Sequence, residues 1–166
     1  VIHSTEFGID VIPSHNMLED LQQLLREADE RSDESFDRTD RLRQVLVEND
    51  IPETYDVVVV DPPATAGYHL YNAVAATRSL VIPVEATAKG IESIRGLGDI
   101  VDGMESQLDI NIGVLAVTPV GVGTTKDQTK YLADIRDLGY KAPVAIRERS
   151  SLFDGCWDKH CTASYY

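Results

Sequence analysis

The chain has 166 residues, 43% of them hydrophobic, which suits one domain of ordinary size, 1–166, with a core of its own. Its 28 acidic side chains outnumber the 15 basic ones, a net charge of −13 that opposes whole-surface attraction to DNA or anionic lipid. No apolar run reaches the length of a membrane span, the first residues lack the layout of a secretion signal, and Cys156 and Cys161 are too few for a disulfide framework. The expectation is a soluble, cytoplasmic protein with free thiols and no membrane partner. The acidity is dispersed, densest from Glu27 to Glu34, and with so few lysines it resembles the surfaces of proteins from salt-loving archaea.

In chain order, Gly8 to Ile12 reads as a first strand. From Asn16 to Asn49 there is no strand signal. Met17, Leu18, Leu21, Leu24 and Leu25 form one helical stripe and Leu42, Val45 and Leu46 another, so a helical hairpin, or a helix with a solvated loop, is expected around the acidic stretch between them. Val57 to Asp61 carries four consecutive valines, the pattern of a strand buried on both faces. Leu80 to Val84, Ile112 to Thr118 and Pro143 to Arg147 are further strands, with helices over Tyr68 to Thr77, Lys89 to Gln107 and Thr124 to Leu138, Gly139 closing the last. Strands alternating with helix-length crossovers imply βαβ units and a mainly parallel, doubly wound sheet flanked by helices. The chain opens at Val1, almost at a strand, and stops at Tyr166 with no final helix expected, so both ends look cut.

The most informative run is Tyr55 to Gly67, where an apolar strand ends at Asp61 and Pro62 and Pro63 follow at once. An aspartate delivered at the carboxyl end of a core strand lies at the sheet edge where ligands bind, and it suits a hydrated Mg²⁺ beside nucleotide phosphates. That is a Walker B reading. Gly121 to Lys126 contains the letters of a phosphate-binding loop in the wrong order, because Lys126 arrives only after both threonines. A glycine-rich turn with Thr124 as helix N-cap fits it better.

The order of these motifs resembles the ParA/MinD group of P-loop ATPases, and the Soj-like partition proteins most closely. Ile9 to Ser14, Tyr55 to Gly67, Asn72-Ala73, Val81 to Val84, the small-residue helix Ala88 to Val101, Gly113 to Leu115 and Ile146 to Arg149 follow the family's sequence of elements. Thr65 stands where the family commonly has serine. The family's lysine- and glycine-rich Walker A loop is missing from this sequence, which looks like the carboxyl-terminal two-thirds of such a protein.

The resemblance implies a P-loop NTPase fold and an ATPase that uses ATP and Mg²⁺. Asp61 is the expected catalytic and metal residue, acting on the ion through water. Pro62, Pro63, Thr65 and Gly67 form the switch at the γ-phosphate, and Thr118 and Pro119 a purine pocket. Lys126, Lys130, Arg147 and Arg149 are the expected DNA contacts. The implied function is chromosome or plasmid partitioning by an ATP-bound homodimer on non-specific DNA, nucleoid-associated and answering to a centromere-binding partner protein. Two alternatives remain open, a degenerate interaction module without ATPase activity and a MinD-like cell-division regulator. Without the phosphate loop, the 166-residue segment alone is expected to be inactive.

Overall fold

The computed structural model describes residues 2–32, 36–63 and 65–159. The chain divides into two compact units, Val1–Thr77 and Arg78–Tyr166.

Unit 1 opens with a small antiparallel ribbon of β1 (His3–Ser4) and β2 (Asp10–Val11), paired His3 to Val11 and Ser4 to Asp10. Gly8 turns the ribbon at a φ of +72°, which glycine adopts without a Cβ penalty, and the Thr5 hydroxyl donates to the Ile9 carbonyl at 2.6 Å. The expected strand over Gly8 to Ile12 is thus a two-residue strand of this ribbon and not a member of the parallel sheet. A 3₁₀ turn at Asn16–Asp20 leads into α1 (Leu21–Arg31), followed by α2 (Arg41–Glu48), α3 (Ile51–Thr54) and α4 (Tyr68–Thr77). The two expected helices are present as α1 and α2. Both pack on α4, whose Ala73, Val74 and Ala75 are buried with Leu25 and Ile51.

Residues 57–63 belong to no helix or strand. Val57 and Val59 are 75% and 86% exposed, and Val58 is exposed as well, which corrects the expectation of a strand buried on both faces. A β-strand is completed by a hydrogen-bonded neighbour. Valine supplies the local preference, but among the described residues nothing pairs with this run.

Unit 2 is built on the parallel pair β3 (Ser79–Glu85) and β4 (Gly113–Val120), in register from Ser79 with Gly113 to Glu85 with Val120, with an irregularity after Leu80. The crossover between them is helical, as the βαβ reading expects, but it breaks at Gly96 into α5 (Ala88–Arg95) and α6 (Leu97–Leu108). Helix α7 (Lys126–Asp137) follows β4, and its cap is Thr125, not Thr124: the Thr125 hydroxyl accepts from the Gln128 amide at 3.2 Å. The run Pro143 to Arg147 lies along β4 through Ile146 N to Pro119 O at 2.7 Å and Val122 N to Ile146 O at 3.1 Å, but makes only one isolated parallel bridge, Val122 with Arg147. Helix α8 (Ser150–Asp158) then follows, correcting the expectation that no helix succeeds the last strand. The core of this unit comprises Val84, Ala86, Ile91, Ile94, Leu97, Val101, Val117, Val122 and Ile135. Gly90 lets α5 lie close to β3, since a Cβ there would sit 2.1 Å from the Glu85 carbonyl oxygen. No described helix is long and apolar enough to cross a membrane.

Candidate functional site

In unit 1 the exposed run of valines delivers Asp61 to the surface, with Pro62 half-buried and Pro63 exposed behind it. Prolines cannot donate to a ladder and fix φ, so the chain leaves the extended run here and travels through Thr65, exposed, and Gly67, half-buried, into α4. The Gly67 carbonyl accepts from the Tyr71 amide at 3.0 Å, joining this segment to the first turn of the helix. A Cβ on Gly67 would come within 2.8 Å of the Gln22 side-chain amide, so α1 lies close to the turn.

Asp61, Pro62 and Pro63 form part of the wall of a cavity of about 700 Å³. The 3₁₀ turn and α1 supply Leu18, Leu21 and Leu25, α2 supplies Leu42 and Val45, and α4 supplies His69 and Asn72. The His69 ring donates from Nε2 to the Leu18 carbonyl at 2.6 Å, so this histidine ties α4 to the 3₁₀ turn. Arg38 stacks over the Tyr68 ring at 5.5 Å and pairs with Asp29 at 3.1 Å.

Asn72 is the residue whose role the sequence does not state. It is buried, and its Oδ1 accepts from the Leu42 amide at 2.9 Å while its Nδ2 donates to the carbonyls of Arg38 at 2.8 Å and Tyr68 at 2.9 Å. Leu42 lies in the first turn of α2, where amides have no intrahelical partner. The N-cap, Asp40, does not use its side chain as a cap and pairs with Arg43 instead. Asn72 therefore caps α2 from another helix. The Asn72-Ala73 pair was visible as a family-like motif, but the partner thirty residues away was not.

At the ribbon, the Tyr55 hydroxyl donates to Asp10 Oδ2 at 2.6 Å. That bond, seconded by Ser4, holds the Asp10 carboxyl below its ordinary value, and the same contact raises the Tyr55 hydroxyl.

The remaining expected site residues lie in unit 2. Thr118 and Pro119 are neighbours in β4 and both are buried. Lys126 and Lys130 are exposed four residues apart on α7. Arg147 sits at the bridge to Val122 and Arg149 at the start of α8, both exposed. None of the four is in an ion pair among the described residues. The loop from Gly121 to Thr125 is closed by Gln128, whose Nε2 donates to the Gly121 carbonyl at 3.4 Å, as a capped turn would be. Cys156 is a buried thiol; Cys161 lies outside the described residues.

Charge is divided unequally. Residues 1–77 hold 16 acidic and 5 basic side chains, a net −11, whereas residues 78–166 hold 12 and 10, a net −2. The DNA-contact candidates therefore all lie in the nearly neutral unit.

Among the described residues no group of three or more His, Cys, Asp or Glu could hold a metal ion. A single exposed carboxylate such as Asp61 fits Mg²⁺ differently, since that ion keeps several waters and takes one or two carboxylates together with substrate phosphates.

The AAA domain family matches residues 1–114. The chain is 28% identical over 125 residues to the sporulation initiation inhibitor protein Soj of Bacillus subtilis, covering 70% of this chain and 47% of Soj. An ATP complex of McdA from Cyanothece superposes with a TM-score of 0.75 at 21% identity, over 99% of this chain and 62% of that one. A putative plasmid partition protein of Borrelia burgdorferi bound to AMPPNP gives 0.63 at 19% identity, over 91% and 56%. The chain thus spans about half to two-thirds of the length of these proteins.

Proposed function

The chain belongs to the AAA domain family, within the ParA/MinD group of P-loop ATPases, and from that premise we propose that the intact protein is a DNA-partitioning ATPase. It hydrolyses ATP to ADP and phosphate, switches between monomer and ATP-bound homodimer, binds DNA non-specifically when dimeric, and responds to a centromere-binding partner. The observation that carries this reading is Asp61: a solvent-facing carboxylate at the end of the valine run, followed at once by two prolines and a short path into α4.

Phosphoryl transfer to water depends mostly on positioning and charge stabilisation. Mg²⁺, when bound, would neutralise charge on the phosphates. Asp61 would orient the ion's water shell by accepting hydrogen bonds. Pro62 to Gly67 would sense the γ-phosphate, because proline rigidity limits the segment to few arrangements and Gly67 joins it to the first turn of α4. Arg147, Arg149, Lys126 and Lys130 would contact phosphates of DNA from the less acidic unit.

Asp61→Asn in the intact protein is the direct test. Asp61 is exposed, so its replacement leaves no cavity and the fold should persist. Metal-assisted charge stabilisation is worth several kcal/mol, so turnover of Mg-ATP should fall by about 10²-fold or more. A variant that hydrolyses ATP at the parent rate would remove Asp61 from the mechanism and this reading with it.

A further inference from the structure

We infer that Tyr55 and Asp10 form a latch that positions Asp61 from outside its site. Asp61 lies within a run, 57–63, that belongs to no helix or strand and has no ladder partner among the described residues. A strand is held along its length by ladder hydrogen bonds, whereas a run that lacks them is placed by what holds its ends. At the far end the Gly67 carbonyl accepts from the Tyr71 amide and joins the segment to α4. At the near end stands Tyr55, which is held twice. Its amide donates to the Ile51 carbonyl at 3.0 Å, closing α3 on the buried Ile51, and its hydroxyl donates to Asp10 Oδ2 at 2.6 Å.

The amide bond sets where the chain leaves α3. The hydroxyl bond ties the same residue to β2, 45 residues earlier, so the start of the run is fixed against a second element. Asp10 is itself seated by the ribbon, where it pairs with Ser4. A hydroxyl donating to an ionised carboxylate makes one of the shorter and stronger hydrogen bonds. From Tyr55 to Asp61 an extended chain reaches about 20 Å, so a tilt of about 3° at Tyr55 moves Asp61 by about 1 Å. A misplacement of that size can cost about 10²-fold in rate. Val60 to Pro63 rest against the wall of the cavity, which limits the movement and the expected loss. Both residues act through the run, as positioning residues. The latch stands on the bond; only its effect on turnover rests on the proposed ATPase activity.

Three variants of the full-length protein test it. Tyr55→Phe keeps the ring and loses the hydroxyl, Asp10→Ala loses the acceptor, and Asp10→Asn keeps one. Without nucleotide, the backbone NMR order parameters of Val57 to Val60 should fall from about 0.85 toward about 0.6 in the first two and stay at the parent value in Asp10→Asn. With Mg-ATP and well below Tm, kcat should fall about tenfold in the first two at unchanged KM, and Asp10→Asn should restore it. Tyr55→Phe combined with Asp10→Ala should lose no more than either alone, since a single bond is at stake. Unchanged order parameters in Tyr55→Phe, an unchanged kcat where Asp61→Asn is inactive, a rise in KM in place of the fall in kcat, or losses that multiply in the double variant would each overturn the inference. Order parameters that respond in a protein without ATPase activity would leave the latch in place and remove the proposed function instead.

Discussion

Replacing Asn72 by alanine should destabilise unit 1 well beyond what a single polar side chain usually contributes. Three hydrogen bonds disappear together, to the Leu42 amide and to the carbonyls of Arg38 and Tyr68, and the first of them serves as the N-cap of α2. Loss of a cap costs about 1 kcal/mol. The bond to Arg38 adds about 1 kcal/mol, and the Tyr68 bond, within the same helix, contributes less. The sum is roughly 2–3 kcal/mol, which for a chain of this size lowers Tm by about 4–12 °C. Thermal and urea unfolding of parent and variant measure this, and hydrogen exchange at the Leu42 amide should accelerate. Asn72→Asp separates the contributions, because it keeps an acceptor for Leu42 while setting a carboxylate against two carbonyls, and should be no more stable than alanine. Parent-like stability of Asn72→Ala, with unchanged exchange at Leu42, would refute the cap.

Two glycines should respond with opposite signs. Gly90→Ala should cost about 1–3 kcal/mol, because its Cβ meets backbone that cannot yield, whereas Gly103→Ala, with open space around it in α6, should stabilise by about 0.5–1 kcal/mol in the same unfolding assay. Tyr55→Phe should return the Asp10 carboxyl upward toward its ordinary range in an NMR titration; no movement would remove the bond as the cause. In the parent, the lowered Asp10 value contributes stability above about pH 4 that is lost as pH falls, and the raised Tyr55 value contributes stability below about pH 10 that is lost as pH rises. Arg147→Glu combined with Arg149→Glu should weaken DNA retention by the ATP-bound protein and reduce its salt slope by about 2, leaving ATP-dependent dimerisation unchanged. Loss of dimerisation as well would assign these arginines to the fold.

Local pattern alone determined the helix Tyr68–Thr77, the apolar stripe of Leu21, Leu24 and Leu25 on α1, the extended runs that become β3 and β4, and the position of Asp61 before two prolines. Each is written in periodicity or in the geometry of proline, and neither needs a distant residue to be read. Tertiary structure decided the rest. The four valines before Asp61 carry strand preference, yet a ladder needs a partner, and among the described residues none pairs with them. Thr118 and Pro119 read as pocket residues in sequence, and only the folded strand shows that both are buried. The role of Asn72 depends on Arg38 and Leu42, more than thirty and thirty residues away along the chain. The cavity beside Asp61 likewise exists only where α1, α2 and α4 meet. The unequal charge of the two units was present in the composition from the outset, but a sequence does not show which residues fold together. Burial, pairing and shared charge are properties of neighbours in space, and packing decides those neighbours.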